Sequence, residues 1–495
     1  MKISHKLNLS VSILLLITLI VSCTPGTVVP MATAIATTTA APTITPTPAP
    51  HSLADTPDLS TWVEEYVHAY GDMVTVNSTE MDAQELTVAI RQNPEAFMQT
   101  KEIEKGKYSF MVVNGTPLAI LSNHKWEATS LKSLGEFSAI RFGSTVHEGG
   151  LFVNHAEAYQ QILNQQFGII APNDLTIMDV SEVLKDPYYG KFVNGLAQTH
   201  ALRFYNLFTP GDQRNEDNQP NLSDPLWQGA PPINTPASTK YQEKIRIAMA
   251  EKALNILTSN PNVTEIGFAN EAFSATDDGY FSWEDCPYYR AFGDRWLIEA
   301  YLAAYKAIVQ LGKVPGRDIS LFYGDYNFYL PGNKSTIVHR ELSRVKEEVA
   351  KELGIDTGDV PIIVEMEGHF SFDTGYLNAN ASDPRYWDAY YAGRLTYEEF
   401  KQNLTSFTDI GKVWLGEFTL LQGTAEQNTQ FLKTIVEASF DSGNVESIFF
   451  WDLLEIDSDH WGKGDLLFTF DGESHFYPTA NYYVILHTLF GEIQN

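Results

Sequence analysis

The sequence predicts an α/β protein: a closed (β/α)8 TIM barrel preceded by a small N-terminal accessory segment. Three observations carry that prediction. Eight short apolar or β-branched runs of strand length follow one another after residue 131, stretches with apolar residues at helical period lie between them, and the two kinds alternate throughout. A doubly wound open sheet shares the alternation, and periodicity does not distinguish an open sheet from a closed one.

In chain order, Lys2 and Lys6 precede an apolar run from Val11 to Val21 that is short for a membrane span and has the form of a signal h-region. The run closes on Ile20-Val21-Ser22-Cys23, which resembles the bacterial lipobox. Residues 1–23 are therefore expected to be a lipoprotein signal, with Cys23 as the lipidation site, and the protein to be exported, anchored by lipid at the outer face of the bacterial cell membrane or secreted. Residues 24–57 are Thr, Pro and Ala-rich and read as an extended tether. Residues 58–130 form the accessory segment, with two helix-like stretches and a hairpin in which Asn114-Gly115 joins Tyr108 to Val113 and Thr116 to Leu121. Residues 131–495 hold the barrel. Its strands are expected at Ser138 to Val146, Phe167 to Ala171, His200 to Phe208, Val263 to Ala269, Ile319 to Tyr326, Val360 to Met366, Val413 to Leu420 and Ser447 to Leu453. Between them run helical stripes such as Ile245, Met249, Ala253 and Leu257, then Trp296, Ala300, Ala304 and Ala307, then Leu342, Val345 and Val349.

A hydrophobic fraction of 44% over 495 residues is ample for one large core. The 62 acidic and 33 basic residues leave a formal charge of -29, which repels nucleic acid and anionic membrane surfaces and suits a neutral substrate. Membrane contact is expected through the lipid alone, and the protein is expected to be a monomer. Cys286 is the one cysteine besides Cys23, so no disulfide is expected and Cys286 reads as a buried thiol. Gly-rich phosphate loops, His-Glu-x-x-His and Gly-x-Ser-x-Gly are missing, so no cofactor or metal is expected; Asp277-Asp278-Gly279 hints weakly at calcium and reads better as a turn.

Barrel enzymes draw their reactive groups from the C-terminal ends of strands. The fourth run ends in Asn270-Glu271-Ala272, and the seventh carries Gly416-Glu417-Phe418. Hydrolysis of an acetal needs one carboxylic acid to protonate the leaving oxygen and a second carboxylate to meet the anomeric carbon. Two glutamates at the mouths of strands four and seven satisfy that requirement, and a retaining reaction would set their carboxyl groups roughly 5–5.5 Å apart.

Several segments extend the match. Phe142-Gly143-Ser144-Thr145-Val146, Asn194-Gly195 followed by His200-Ala201-Leu202, Asn270-Glu271-Ala272-Phe273, Gly324-Asp325-Tyr326-Asn327, Glu367-Gly368-His369 and the segment around Glu417 follow one another in an order that resembles glycoside hydrolase family 10, the endo-β-1,4-xylanases. Trp451 to Trp461, Leu466-Leu467-Phe468 and Tyr477 to Tyr483 are similar to the family's closing pattern. The resemblance implies Glu271 as acid/base, Glu417 as nucleophile, and Asn270 as donor to the sugar 2-hydroxyl. It implies that His369 orients Glu417, with Tyr326 either bonding the nucleophile or packing inside the barrel. His200, Tyr205, Asn173, Glu367, Trp451 and Trp461 are the implied substrate-binding residues.

The departures from that pattern concern the pocket. Asn173-Asp174-Leu175-Thr176-Ile177-Met178 stands where the family has Glu-Asn followed by Lys-Trp, Phe204-Tyr205 replaces Trp-His, and Glu367 replaces Gln. The expected function is a retaining, endo-acting β-glycanase cleaving β-1,4-xylosidic bonds in xylan or a related plant polysaccharide by double displacement. The alternatives are a lipid-anchored glycan-binding or solute-binding protein without catalysis, and a related enzyme acting on another β-glycan.

Overall fold

A computed structural model describes residues 52–146, 150–172, 188–209, 224–232, 235–273, 286–378, 384–451, 453 and 466–494, all within the unit Pro50–Asn495. Cys23, Asn173, Ile177, Met178, the Asp277–Gly279 turn and Trp461 lie outside the described residues.

The accessory segment begins with helix Leu59–Tyr70, which buries Leu59, Val63, Tyr66 and Val67 on one stripe. Strands β1 (Val74–Val76) and β2 (Thr79–Met81) pair, and helix Ala83–Gln92 starts from a capping box of Asp82 and Glu85. Then β3 (Met98–Ile103), β4 (Gly106–Val113), β5 (Thr116–Ser122) and β6 (Lys125–Ala128) form an antiparallel sheet in sequence order. Asn114 and Gly115 both have positive φ, 49° and 81°, as a two-residue turn of the type that matches strand twist requires. The sheet is larger than the single hairpin read from sequence, because β3 and β6 alternate buried and exposed residues too weakly to stand out.

Eight parallel strands then close a barrel: β7 (Arg141–Val146), β8 (Ile169–Pro172), β9 (Ala201–Phe204), β10 (Val263–Asn270), β11 (Ser320–Tyr326), β12 (Ile363–Ser371), β13 (Val413–Leu421) and β14 (Val445–Phe450). The ring closes where β14 pairs with β7, from Ser447 opposite Arg141 to Phe450 opposite Ser144. That pairing settles the choice between barrel and open sheet. All nine residues of β13 are buried, as a strand covered on both faces demands. Helices with hydroxyl N-caps lie outside the strands; Ser238 caps Thr239–Ser259, and Thr424 with Gln427 boxes the start of Ala425–Ser442. A last hairpin, β15 (Phe468–Phe470) and β16 (Phe476–Pro478), leads into helix Ala480–Gln494, against which the accessory sheet packs through Phe110 and Phe490, ring centroids 4.8 Å apart.

The barrel interior is unusually charged. Ile169, Ala171, Tyr205, Phe322, Trp414 and Phe449 form an apolar plug. Through it passes the fully buried guanidinium of Arg203, 4.2 Å from the centre of the Trp414 ring. Arg203 bonds Glu265 at 2.9 Å and Glu365 at 2.7 Å, and Arg141 meets Glu265 from the opening at the strands' N-terminal ends at 2.7 Å. Gly416 makes room for this ladder: a Cβ there would stand 2.3 Å from the Glu365 carboxyl carbon.

Candidate active site

Glu271 follows the last residue of β10, and Glu417 lies within β13. Both have left-handed backbones, φ 47° and 48°, a conformation that costs on the order of 1–3 kcal/mol for a residue with a Cβ and that collects at functional sites. Tertiary bonds hold the first of them. Glu271 N–H donates to the Gly324 carbonyl at 2.9 Å, Ala272 N–H to the Tyr323 hydroxyl at 3.2 Å and Phe273 N–H to Asp325 Oδ2 at 3.3 Å. Asp325 is in turn held by the Tyr323 hydroxyl at 2.5 Å, the Tyr326 N–H at 2.9 Å and Lys334 Nζ at 2.7 Å. The carboxylate of Asp325 thus pins the backbone that aims Glu271.

Glu417 sits at an irregularity between Leu415 and Phe418 in the pairing of β13 with β14. His369 Nε2 faces Glu417 Oε2 at 3.4 Å. Asn270, with its amide nitrogen turned to the acceptors around it, donates to Glu367 Oε1 at 2.5 Å and to the Gly324 carbonyl at 3.3 Å, while its oxygen accepts from Asn206 Nδ2 at 3.2 Å. Five acidic groups converge here, and burial together with neighbouring charge raises three of them. Burial, then the charges of Glu417 and Asp325, push Glu271 up to about 7. Burial, then Glu417, Glu271 and Glu365, hold Glu367 well above the carboxylate range. Glu365 is pushed up to about 8 by burial, against the pull of Arg203 and with Glu417 and Glu265 adding to the rise.

Glu367, which departs from the family's Gln, has Gly324 as a neighbour; a Cβ on Gly324 would lie 2.6 Å from Glu367 Oε1 and 2.7 Å from the Asn270 amide oxygen position. A carboxyl held neutral has the shape of a carboxamide and, like it, offers one acceptor and one donor atom. The site therefore keeps Glu367 in the form that most resembles the residue it replaces.

Of the sequence-derived site residues, Asn270, Glu271, Glu367, His369 and Glu417 come together at the mouth. Tyr326 ends β11 half-buried, its ring 4.0 Å from Lys334 Nζ. Trp451 follows β14 with its ring 5.5 Å from that of Tyr205. Tyr205, directly after β9, is buried in the plug with its hydroxyl 3.5 Å from Glu365 Oε1. One assignment needs correction. His200 precedes β9 at the opposite end of the barrel, and its ring nitrogens lie 2.8 Å from the Leu196 carbonyl and 3.3 Å from that of Leu163. It is a satisfied core histidine. Asn173 and Trp461 lie outside the described residues.

Sequence reading missed Arg203, Glu265, Glu365, Asn206, Lys334 and Thr419. A signal existed for one: Glu365 alternates with Glu367 and His369 in a strand buried on both faces, where period two aims all three the same way. Among the described residues no group of three or more His, Cys, Asp or Glu side chains is arranged to hold a metal ion.

A (β/α)8 barrel that carries two strand-end glutamates, one raised toward neutrality by burial and by the charge of the other, is built as a glycoside hydrolase. The chain belongs to glycosyl hydrolase family 10, whose sequence model matches residues 238–487. Solved structures agree in fold. Xylanase 10B from Thermotoga maritima superposes with a TM-score of 0.53 at 18% identity over 74% of this chain and 99% of that one. Penicillium canescens endo-1,4-β-xylanase XylE gives 0.54 at 18% over 73% and 98%, and the Bispora sp. MEY-1 xylanase crystallised with xylobiose gives 0.53 at 18% over 73% and 100%. No curated protein matches the sequence.

Proposed function

We propose that the chain is a retaining, endo-acting β-1,4-xylanase or an enzyme for a related β-glycan. The observation that carries this reading is the asymmetry between the two strand-end glutamates: Glu271 is held protonated to about pH 7, while Glu417 faces the imidazole of His369. In double displacement Glu271 donates its proton to the glycosidic oxygen as Glu417 bonds the anomeric carbon, giving a glycosyl-enzyme and a leaving chain that ends in a free hydroxyl. Glu271, now a carboxylate, takes a proton from water, and the hydroxide so formed releases the sugar from Glu417 with retained configuration. Asn270, directly before Glu271 at the end of β10, stands where the family resemblance implies the donor to the 2-hydroxyl.

The test is NMR of the first-formed anomer from an aryl β-xyloside, with reducing-sugar release across xylan, arabinoxylan, mixed-linkage glucan and cellulose. A β-anomer product and cleavage of xylan are expected. First-formed α-anomer overturns the retaining mechanism, and glucan cleavage without xylan cleavage moves the substrate to another β-glycan. The lipobox-like Ser22-Cys23 further supports a lipid-anchored, exported enzyme; unchanged membrane partitioning of Cys23→Ala would remove that part.

A further inference from the structure

A second cavity lies away from the barrel mouth, between the accessory segment and the barrel wall. It encloses about 670 Å³ and is walled by helix Leu59–Tyr70, β5, β6, the end of helix Gly150–Gln166, the β15–β16 hairpin and helix Ala480–Gln494. That volume is within the ~300–1,000 Å³ of small-molecule sites. We propose that this cavity is a saccharide-binding site distinct from the active site, taking a short neutral oligosaccharide with Trp62 as its stacking platform and Glu65 and Gln166 as its hydrogen-bond partners. The choice of a saccharide rests on the glycan-hydrolase reading above.

The residues supply the needed chemistry from two parts of the fold. Asp58, Trp62 and Glu65 stand at i, i+4 and i+7 on one helix stripe and all line the cavity. Trp62 is half-buried against the core, which fixes the indole while part of its surface stays open. From the barrel side, Gln166 is only 8% exposed, yet half its amide is unused. Its Oε1 accepts from Leu131 N–H at 3.2 Å and lies 3.0 Å from the Tyr482 hydroxyl, which meets the Thr129 carbonyl at the same distance; that orientation leaves Nε2, with two hydrogens, without a protein acceptor in a residue that lines the cavity. An amide nitrogen without a protein acceptor at the cavity wall is available to donate to a ligand's hydroxyl.

Glu65 is likewise half-committed. His475 from the β15–β16 hairpin meets its Oε1 at 3.1 Å, leaving Oε2 for another donor. Burial raises the Glu65 carboxyl although His475 pulls it down, as for a group already partly withdrawn from water. A fixed indole beside a carboxylate and a carboxamide matches a sugar, whose C–H face is apolar and whose edge is ringed with hydroxyls. The lining selects by charge as well: Asp58, Glu65 and Glu127 are acidic and no Lys or Arg is present, which repels anionic ligands such as phosphates and uronic acids. The cavity at the other end of the barrel lacks this character: its lining holds Lys105, Arg141 and Arg317, and Arg141 and Arg317 pair with Glu265 and Asp318 there.

The experiment is calorimetric titration of the full chain carrying Glu417→Gln, so that the probe is not consumed, with xylotriose and with cellotriose. Two binding equivalents are expected for one of these probes. Adding Trp62→Ala should weaken the second equivalent roughly tenfold or more and leave the first intact. Glu65→Gln, which keeps the side-chain shape, should weaken it too and guards against misfolding of the Trp62 variant. With Glu417 restored, neither substitution should change kcat on an aryl β-xyloside. A single equivalent, or a second that survives both substitutions, overturns the site while leaving the proposed function standing if xylan is cleaved. A Trp62-dependent equivalent in a chain that cleaves no β-glycan would uphold the site and overturn the enzyme reading instead.

Discussion

His369 bridges the catalytic strand to itself: Nε2 stands 3.4 Å from Glu417 Oε2, and Nδ1 meets Thr419 Oγ1 at 3.0 Å. The Thr419 hydroxyl has one hydrogen, which it donates to the Glu417 carbonyl at 3.1 Å, so it accepts from Nδ1–H. With Nδ1 protonated, Nε2 can donate to a Glu417 carboxylate only as imidazolium. The acidity of His369 agrees: burial works against the charge, but the hydrogen bond and the charge of Glu417 prevail and raise it above 6.5.

His369→Ala should therefore lower kcat roughly 10- to 100-fold, the kinetic equivalent of one hydrogen bond to a charged group, with little change in KM. Steady-state kinetics on an aryl β-xyloside measures the split. Equal losses in binding and turnover would show that the imidazole serves the pocket instead of the nucleophile.

Glu271 must be protonated to act, and its carboxyl is raised to about 7, so the alkaline limb of kcat/KM should centre near pH 7. Glu271→Gln should cost about 10²–10⁴-fold in kcat/KM on xylan and far less in kcat/KM on aryl glycosides with good leaving groups, whose first step needs no proton, while kcat on both falls because the second step loses its base. The same variant should flatten the alkaline limb. A profile that keeps its limb would assign the proton to another group.

Glu367→Gln tests the neutral carboxyl. A carboxyl raised by folding above its ordinary 4.5 adds stability that is fully present below that pH and is lost as pH climbs through the folded value. The amide does not titrate and can still accept from Asn270. Thermal midpoints of variant and parent should thus agree below about pH 4.5 and separate above it, with the variant the more stable; differential scanning fluorimetry from pH 4 to 9 reads the gap. Parallel curves would mean that Glu367 is ionised in the fold.

Arg203→Met removes the cation from between Glu265 and Glu365 and should destabilise the barrel by roughly 3–5 kcal/mol, because two buried carboxyls lose their shared partner. Adding Glu365→Gln should recover part of the loss. Urea unfolding measures both, and a cost under about 1 kcal/mol would place the ladder among groups that water already screens.

Much of the architecture is legible in one dimension. All eight strands fall on the runs read from the sequence, since a strand buried on both faces must be apolar along its length, and the Asn114-Gly115 turn can be read because few residue pairs accept two positive φ angles. Glu271 and Glu417 are legible for a related reason: each is a charge at the end of an apolar run.

What strand position relative to the barrel axis decides is not legible in this way. His200 and Tyr205 flank the same strand, yet one falls at the wrong end and the other turns inward, and a residue's distance from the mouth follows from the register of neighbouring strands. The ladder of Arg141, Glu265, Arg203 and Glu365 joins four strands whose residues lie up to 224 positions apart, 365 less 141. Local sequence determined that these strands form and where two carboxylates stand. Closure of the sheet determined which side chains meet inside it and hence which carboxyls keep their protons, because burial and mutual repulsion are properties of the assembled interior and of no single segment.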